Sequence, residues 1–154
     1  MPAICGLQKL TLLDYPGRTA CTVFLPGCDL RCPFCHNYEL VEGGAAPMMS
    51  WADFMRFLDR RHGLLDGVVF TGGEPCLQPA LPQMMADVRA EGFLVKLDTN
   101  GLHPDGLAAV LSAHLADYVA MDIKNAPAKY ARTTGLPEER NDYIMAQVTR
   151  SVAL

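Results

Sequence analysis

No stretch of the 154-residue sequence approaches the ~20 consecutive apolar residues of a membrane-spanning helix. The first residues, Met1-Pro2-Ala3-Ile4-Cys5-Gly6, lack the basic region and apolar run of a signal peptide. Positive charge is scarce: 13 Lys and Arg stand against 17 Asp and Glu, for a net charge of -4, and no basic stripe forms. A nucleic-acid partner is therefore not expected. The densest basic cluster, Arg60-Arg61-His62, closes an expected helix, where cations complement the helix dipole. With 50% hydrophobic and 19% charged residues, disorder is excluded. These absences predict a cytoplasmic protein with one domain over residues 1–154. Thiols stay reduced in that compartment, so the six cysteines read as metal ligands or catalytic groups before disulfides.

What is present is a pattern of short apolar strands alternating with amphipathic helices. Leu7 to Leu12 reads as a short leading strand, and Asp14-Tyr15-Pro16-Gly17 as a turn. Buried strands are expected at Ala20–Leu25, Gly67–Thr71, Phe93–Leu97 and Tyr118–Met121. A linker spans Glu42 to Met49. Ser50 caps a helix carrying Trp51, Phe54, Phe57 and Leu58 on one face, with Asp53 in the capping-box position. Further helices are expected over Ala80–Glu91, over Pro104–Leu115, and from near Pro137 to Leu154, the last with Ile144, Val148 and Val152 inward. Met48-Met49, Met84-Met85 and Met121 read as core filling. Alternating strands and helices mean an α/β fold with a parallel sheet. Each of four strands ends in a polar, Gly-bearing or Cys-bearing loop, and ligands bind at that end of parallel sheets.

The first loop is Cys28-Asp29-Leu30-Arg31-Cys32-Pro33-Phe34-Cys35-His36-Asn37. Three thiolates in eight residues suit zinc or an iron–sulfur centre. Zinc would need a fourth ligand, for which only His36 offers itself, directly after Cys35. An iron–sulfur cluster with three protein ligands keeps one iron open for a reaction partner. Cys5, Cys21 and Cys76 read as small buried thiols. Asp29 and Arg31 read as solvated scaffolding.

The spacing of Cys28, Cys32 and Cys35, with Phe34 before the last, together with Gly72-Gly73-Glu74-Pro75 after the second expected parallel strand, resembles the radical S-adenosylmethionine (SAM) superfamily. Four further strings are similar to the anaerobic ribonucleoside-triphosphate reductase activating proteins, which are glycyl-radical-activating enzymes: Gly6-Leu7-Gln8-Lys9 with Asp14-Tyr15-Pro16-Gly17, Cys35-His36-Asn37, Asp98-Thr99-Asn100-Gly101 and Met121-Asp122-Ile123-Lys124. The resemblance covers nearly the whole chain. It implies a partial (β/α) TIM-like barrel of about four β/α units. It also implies a 4Fe-4S cluster on Cys28, Cys32 and Cys35, and SAM cleaved reductively to a 5′-deoxyadenosyl radical. The implied partners are a glycyl radical enzyme and a flavodoxin or ferredoxin type electron donor.

The resemblance also distributes roles. Phe34 offers a π-face to adenine, against a plain core aromatic. His36 reaches adenine or the cluster. Gly72 and Gly73 give a backbone free of side chains, whose exposed amides and carbonyls, with Glu74, take the methionyl ammonium. Asp98 and Asn100 contact SAM, although Asp-x-Asn-Gly is equally a common turn. Asp122 and Lys124 share a face and meet the amino and carboxylate groups of SAM, or else form a simple ion pair. Six β/α units are common in the family, so the chain reads as incomplete at its C-terminus. The alternatives are a small-molecule enzyme resembling 7-carboxy-7-deazaguanine synthase, which typically has other residues in place of His36-Asn37, and a zinc-binding interaction module.

Overall fold

In the computed structural model, residues 4–41 and 45–154 are described, and the apolar runs form the expected strands. The elements in chain order are β1 (Gly6–Thr11), β2 (Ala20–Leu25), α1 (Tyr38–Val41), α2 (Trp51–Asp59), β3 (Gly67–Gly72), α3 (Leu81–Ala90), β4 (Leu94–Thr99), α4 (Pro104–Ser112), β5 (Tyr118–Met121), α5 (Tyr130–Thr133) and α6 (Asn141–Val152). The sheet order is β1-β2-β3-β4-β5. Strand β1 is antiparallel to β2, and β2 through β5 are parallel.

Period-two alternation assigns the two faces of the sheet. Cys21, Val23 and Leu25 of β2, Val68 and Phe70 of β3, and Val95 and Leu97 of β4 point to one side. There they join Phe54 and Leu58 of α2, Leu81, Met84, Met85 and Val88 of α3, and Leu107 and Val110 of α4 in the main core. Helices on one face only are what a partial barrel requires, because its other face lines the lumen. The inner face carries Thr22, Val69 and Lys96, all buried. The turn after β1 folds across it: Tyr15 packs with Ala20, Val69 and Leu94, and Asp14 Oδ2 accepts from Thr22 Oγ1 at 2.6 Å. Gly67 makes room for this ring, since a Cβ there would lie 3.0 Å from it. The turn signal at Asp14–Gly17 was legible; its place inside the barrel was not.

Helix α2 is capped as expected, Ser50 Oγ accepting from Asp53 N–H at 3.1 Å and donating to Asp53 Oδ2 at 2.6 Å. The final helix differs from expectation. It begins at Asn141, after a 3-10 turn at Glu138–Arg140, and ends at Val152. Ile144 and Val148 are buried, but Val152 is 65% exposed. Ser151 takes the inner position instead and donates to Gly101 O at 2.7 Å. The short helices α1 and α5 had no sequence signal, being single turns whose stability comes from packing. Met84 and Met85 are core residues, whereas Met48 is exposed. Of the linker expected at Glu42–Met49, residues 42–44 lie outside those described, as do residues 1–3; Met49 pairs with Ile4. Among the described residues no helix is long and apolar enough to cross a membrane.

Candidate active site

The loops after β2, β3, β4 and β5 converge on one cavity of about 310 Å³. Its lining includes every site residue the sequence nominated: Cys28, Cys32, Cys35, Phe34 and His36 from the first loop, Gly72, Gly73 and Glu74 from the second, Asp98 and Asn100 from the third, and Asp122 and Lys124 from the fourth. Parallel strands in register bring these ends to one level, which is why residues almost a hundred positions apart meet.

The second loop packs against the first more tightly than the sequence indicated. Gly73 N–H donates to Leu25 O at 2.9 Å, and Glu74 N–H to Gly27 O at 2.7 Å. A Cβ on Gly73 would lie 1.9 Å from Gly27 O; one on Gly72, whose φ is +121°, would lie 2.3 Å from Leu25 N. The two glycines thus serve a backbone-to-backbone approach between loops. The expectation that their amides face a ligand is corrected for Gly73 and Glu74. Asn37 adds a bond across the same junction, Nδ2 to Gly72 O at 3.3 Å.

The Glu74 side chain is held by its neighbours at the cavity wall. It is 1% exposed and accepts three hydrogen bonds: from Cys76 N–H at 3.0 Å, Thr99 Oγ1 at 2.8 Å and Asn100 N–H at 2.7 Å. Burial pushes this carboxyl up, and the three donors pull it back. Glu74 ties the loop after β3 to the loop after β4 while still lining the cavity.

Asn100 is a turn residue that also reaches the cysteine loop. Its Oδ1 accepts from Leu102 N–H at 2.9 Å, while its Nδ2 meets Asp29 Oδ1 at 3.2 Å and Cys28 Sγ at 3.8 Å. Asp29 is not simple solvated scaffolding: its Oδ2 also meets His103 Nε2 at 3.0 Å. Burial acts to raise the Asp29 carboxyl, but the bonds from His103 and Asn100 bring it below its ordinary value. Arg31 folds back onto its own loop, donating to Cys28 O at 2.6 Å and Leu30 O at 2.8 Å. His103 gave no sequence signal, because nothing marks the first residue before a helix as the partner of an aspartate 74 positions earlier.

Helices α5 and α6 close the other side of the cysteine loop. Leu30 and Cys32 pack with Leu102, Tyr130, Ile144 and Val148, and Arg31 N–H donates to Thr134 O at 2.9 Å. Phe34 is 53% exposed at the cavity, so it is not a core aromatic. Lys124 Nζ lies 2.7 Å from Asp122 Oδ2; burial lowers the Lys124 ammonium, but Asp122 more than offsets this and the net shift is upward.

All six cysteines are free thiols. Burial pushes Cys21 and Cys76 up to about 12; Cys21 is buried as expected, whereas Cys5 and Cys76 are only half-buried. Burial also raises Cys28, to about 11, so a metal must displace its proton. Among the described residues, the trio of ligand atoms lying within 4.8 Å of one another is Asp59, His62 and Glu91, far from this loop in sequence and exposed. Cys28, Cys32 and Cys35 instead all line the cavity. The donor set fits a multinuclear iron–sulfur centre, with three thiolates facing a cavity that has room for its reaction partner.

Known proteins agree with this geometry. A candidate glycyl-radical enzyme activating enzyme of Methanocaldococcus jannaschii (MJ1227) is 35% identical over 130 residues, covering 82% of this chain and 52% of that protein. The pyruvate formate-lyase-activating enzyme of Clostridium pasteurianum is 31% identical over 131 residues, covering 81% and 53%. The 7-carboxy-7-deazaguanine synthase of Neisseria meningitidis is 35% identical over 88 residues, covering 57% and 39%. The chain thus spans about half the length or less of these curated relatives. Among solved structures, QueE from Escherichia coli shares the fold, with a TM-score of 0.53 and 24% identity over 66% of this chain and 53% of that one. The family model described as the Radical SAM superfamily matches residues 22–151, taking in all four loops and the helices that hold them. The chain belongs to the radical SAM superfamily.

Proposed function

We propose that this chain is the radical SAM portion of a glycyl-radical-activating enzyme whose partner is an anaerobic ribonucleoside-triphosphate reductase. The observation that carries the SAM chemistry is the single cavity lined by the three cysteines and the loops after β3, β4 and β5. The activase reading is supported by the names of the first two relatives and by the strings around Asp14-Tyr15-Pro16-Gly17, Cys35-His36-Asn37 and Asp98-Thr99-Asn100-Gly101.

Cys28, Cys32 and Cys35 hold a 4Fe-4S cluster in this reading. When bound, the cluster and SAM supply reductive generation of an organic radical able to abstract hydrogen. The chain's own residues bind and orient. The Phe34 ring receives adenine, with His36 beside it. The backbone of Gly72 and Gly73 and the side chains of Asp98, Asp122 and Lys124 receive the ribose and methionyl groups. Glu74 and Asn100 fix the loops on which those contacts stand. In this reading the electron comes from an external flavodoxin or ferredoxin type donor in a reducing cytoplasm.

The test is anaerobic reconstitution with iron and sulfide, followed by incubation with SAM, a reductant and the host's anaerobic ribonucleotide reductase. A glycyl radical doublet in the EPR spectrum is expected. Its absence with every glycyl radical protein of the host, from a chain that does cleave SAM, overturns the activase reading. The similarity to a 7-carboxy-7-deazaguanine synthase favours a second reading, which formation of 7-carboxy-7-deazaguanine by the same preparation would establish.

A further inference from the structure

Lys96 is the one charged residue in the middle of a buried strand that no role above absorbs. Its side chain is 8% exposed, and it sits on the inner face of the sheet, opposite Val95 and Leu97. Lateral register places it in a row with Thr22 of β2, Val69 of β3 and Tyr118 of β5. A buried ammonium is unfavourable unless paired. Here it is paired upward with the Asp98 carboxylate, two residues on and on the same face. From the neighbouring strand it is met by the Tyr118 ring, 5.8 Å from Nζ to the centroid. Tyr118 in turn meets Tyr15, with centroids 6.2 Å apart. A column of Tyr15, Tyr118, Lys96 and Asp98 therefore rises from the turn after β1 to the cavity. Asp98 lines that cavity; Lys96 does not.

We propose that Lys96 is a positioning residue for SAM: it holds Asp98 ionised and oriented so that the carboxylate accepts hydrogen bonds from the bound ligand. This deepens the reading of the cavity as a SAM site and rests on it. Without a cation, a carboxylate at this depth is favoured in its neutral form. Burial already pushes Asp98 up, while Lys96 and Thr71 oppose that and Asp122 reinforces it. The titratable groups sharing the cavity with Asp98 are Cys28, Cys32, Cys35 and His36 on the first loop, Glu74 on the loop after β3 and Asp122 and Lys124 on the loop after β5. Lys124 is engaged with Asp122, so it does not replace Lys96. Protonated Asp98 would gain a donor, lose an acceptor site and its charge, and would bind a cationic or hydroxyl-bearing ligand more weakly.

The experiment measures the SAM dissociation constant of the full chain, reconstituted with iron and sulfide, by equilibrium dialysis across pH. K96M is expected to bind SAM about tenfold more weakly than wild type at the acid end of the range, with the gap narrowing as pH rises and Asp98 ionises. K96R is expected to keep the wild-type profile. The double variant K96M/D98N removes both charges, so it leaves no unpaired buried carboxylate to oppose folding, and its binding is expected to be weak and independent of pH. Equal affinity of K96M and wild type overturns the proposal, and so does a loss in K96M that is the same at every pH. If K96M does not fold, a pH-dependent double variant overturns it. Wild-type protein that carries a cluster but binds no SAM overturns the reading of the cavity instead.

Discussion

The Glu74 carboxylate accepts the backbone N–H of Asn100 at 2.7 Å, across the gap between the loops after β3 and β4. Its other oxygen takes Thr99 and Cys76. Glu74 is therefore a rivet between two loops, and Asn100, from its other end, reaches the cysteine loop through Asp29.

Removing the rivet leaves buried donors without partners. E74A is expected to destabilise the apo protein by about 3 kcal/mol, since two amides and a hydroxyl lose their acceptor. Urea unfolding at neutral pH measures this. A loss below about 1 kcal/mol, the range of exposed interactions, would contradict the buried geometry.

Gly73 tests the loop-to-loop approach. A Cβ there meets Gly27 O at 1.9 Å, so G73A must move the backbone of one loop. The expected cost is about 2 kcal/mol of stability, with lower iron incorporation on reconstitution. Thermal melts and iron analysis read the two effects, and G106A, also outside the positive-φ region and with nothing closer than 3.4 Å to its Cβ, controls for glycine replacement itself.

The ligand assignment predicts a sharp division among the cysteines. C28A, C32A and C35A should each fail to hold stoichiometric iron and acid-labile sulfide. C76A should hold both, because burial keeps that thiol protonated up to about 12 and the cluster does not use it. Loss of iron in C76A would make Cys76 a ligand and remove the open coordination position.

At the opposite end of the sheet, Asp117 Oδ2 accepts from Arg89 at 2.6 Å and from Val95 N–H at 2.8 Å. Burial acts to raise this carboxyl, but the two bonds win and its value falls below the ordinary one. A carboxyl lowered in the folded state contributes stability above its unfolded value and loses it as pH falls through the folded one. D117N should therefore lower the urea midpoint at neutral pH and converge with wild type below about pH 3. Parallel curves down to that pH would contradict the assignment.

The sequence by itself determined the elements and the chemistry. Cys28, Cys32 and Cys35 are close enough in the chain to act together whatever the fold, and Val68-Val69-Phe70 and Leu94-Val95 are apolar on both faces, as buried parallel strands must be. Alternation along β2, β3 and β4 also decided which residues share the core. Tertiary structure alone decided what each polar side chain does at the site. Hydrogen bonds from Thr99 to Glu74, from Asn100 to Asp29 and between His103 and Asp29 join residues whose spacing has no period, so no local pattern encodes them. The same holds for Tyr15, which local chemistry marked only as part of a turn and which long-range packing placed beneath Tyr118, on the inner wall of the barrel.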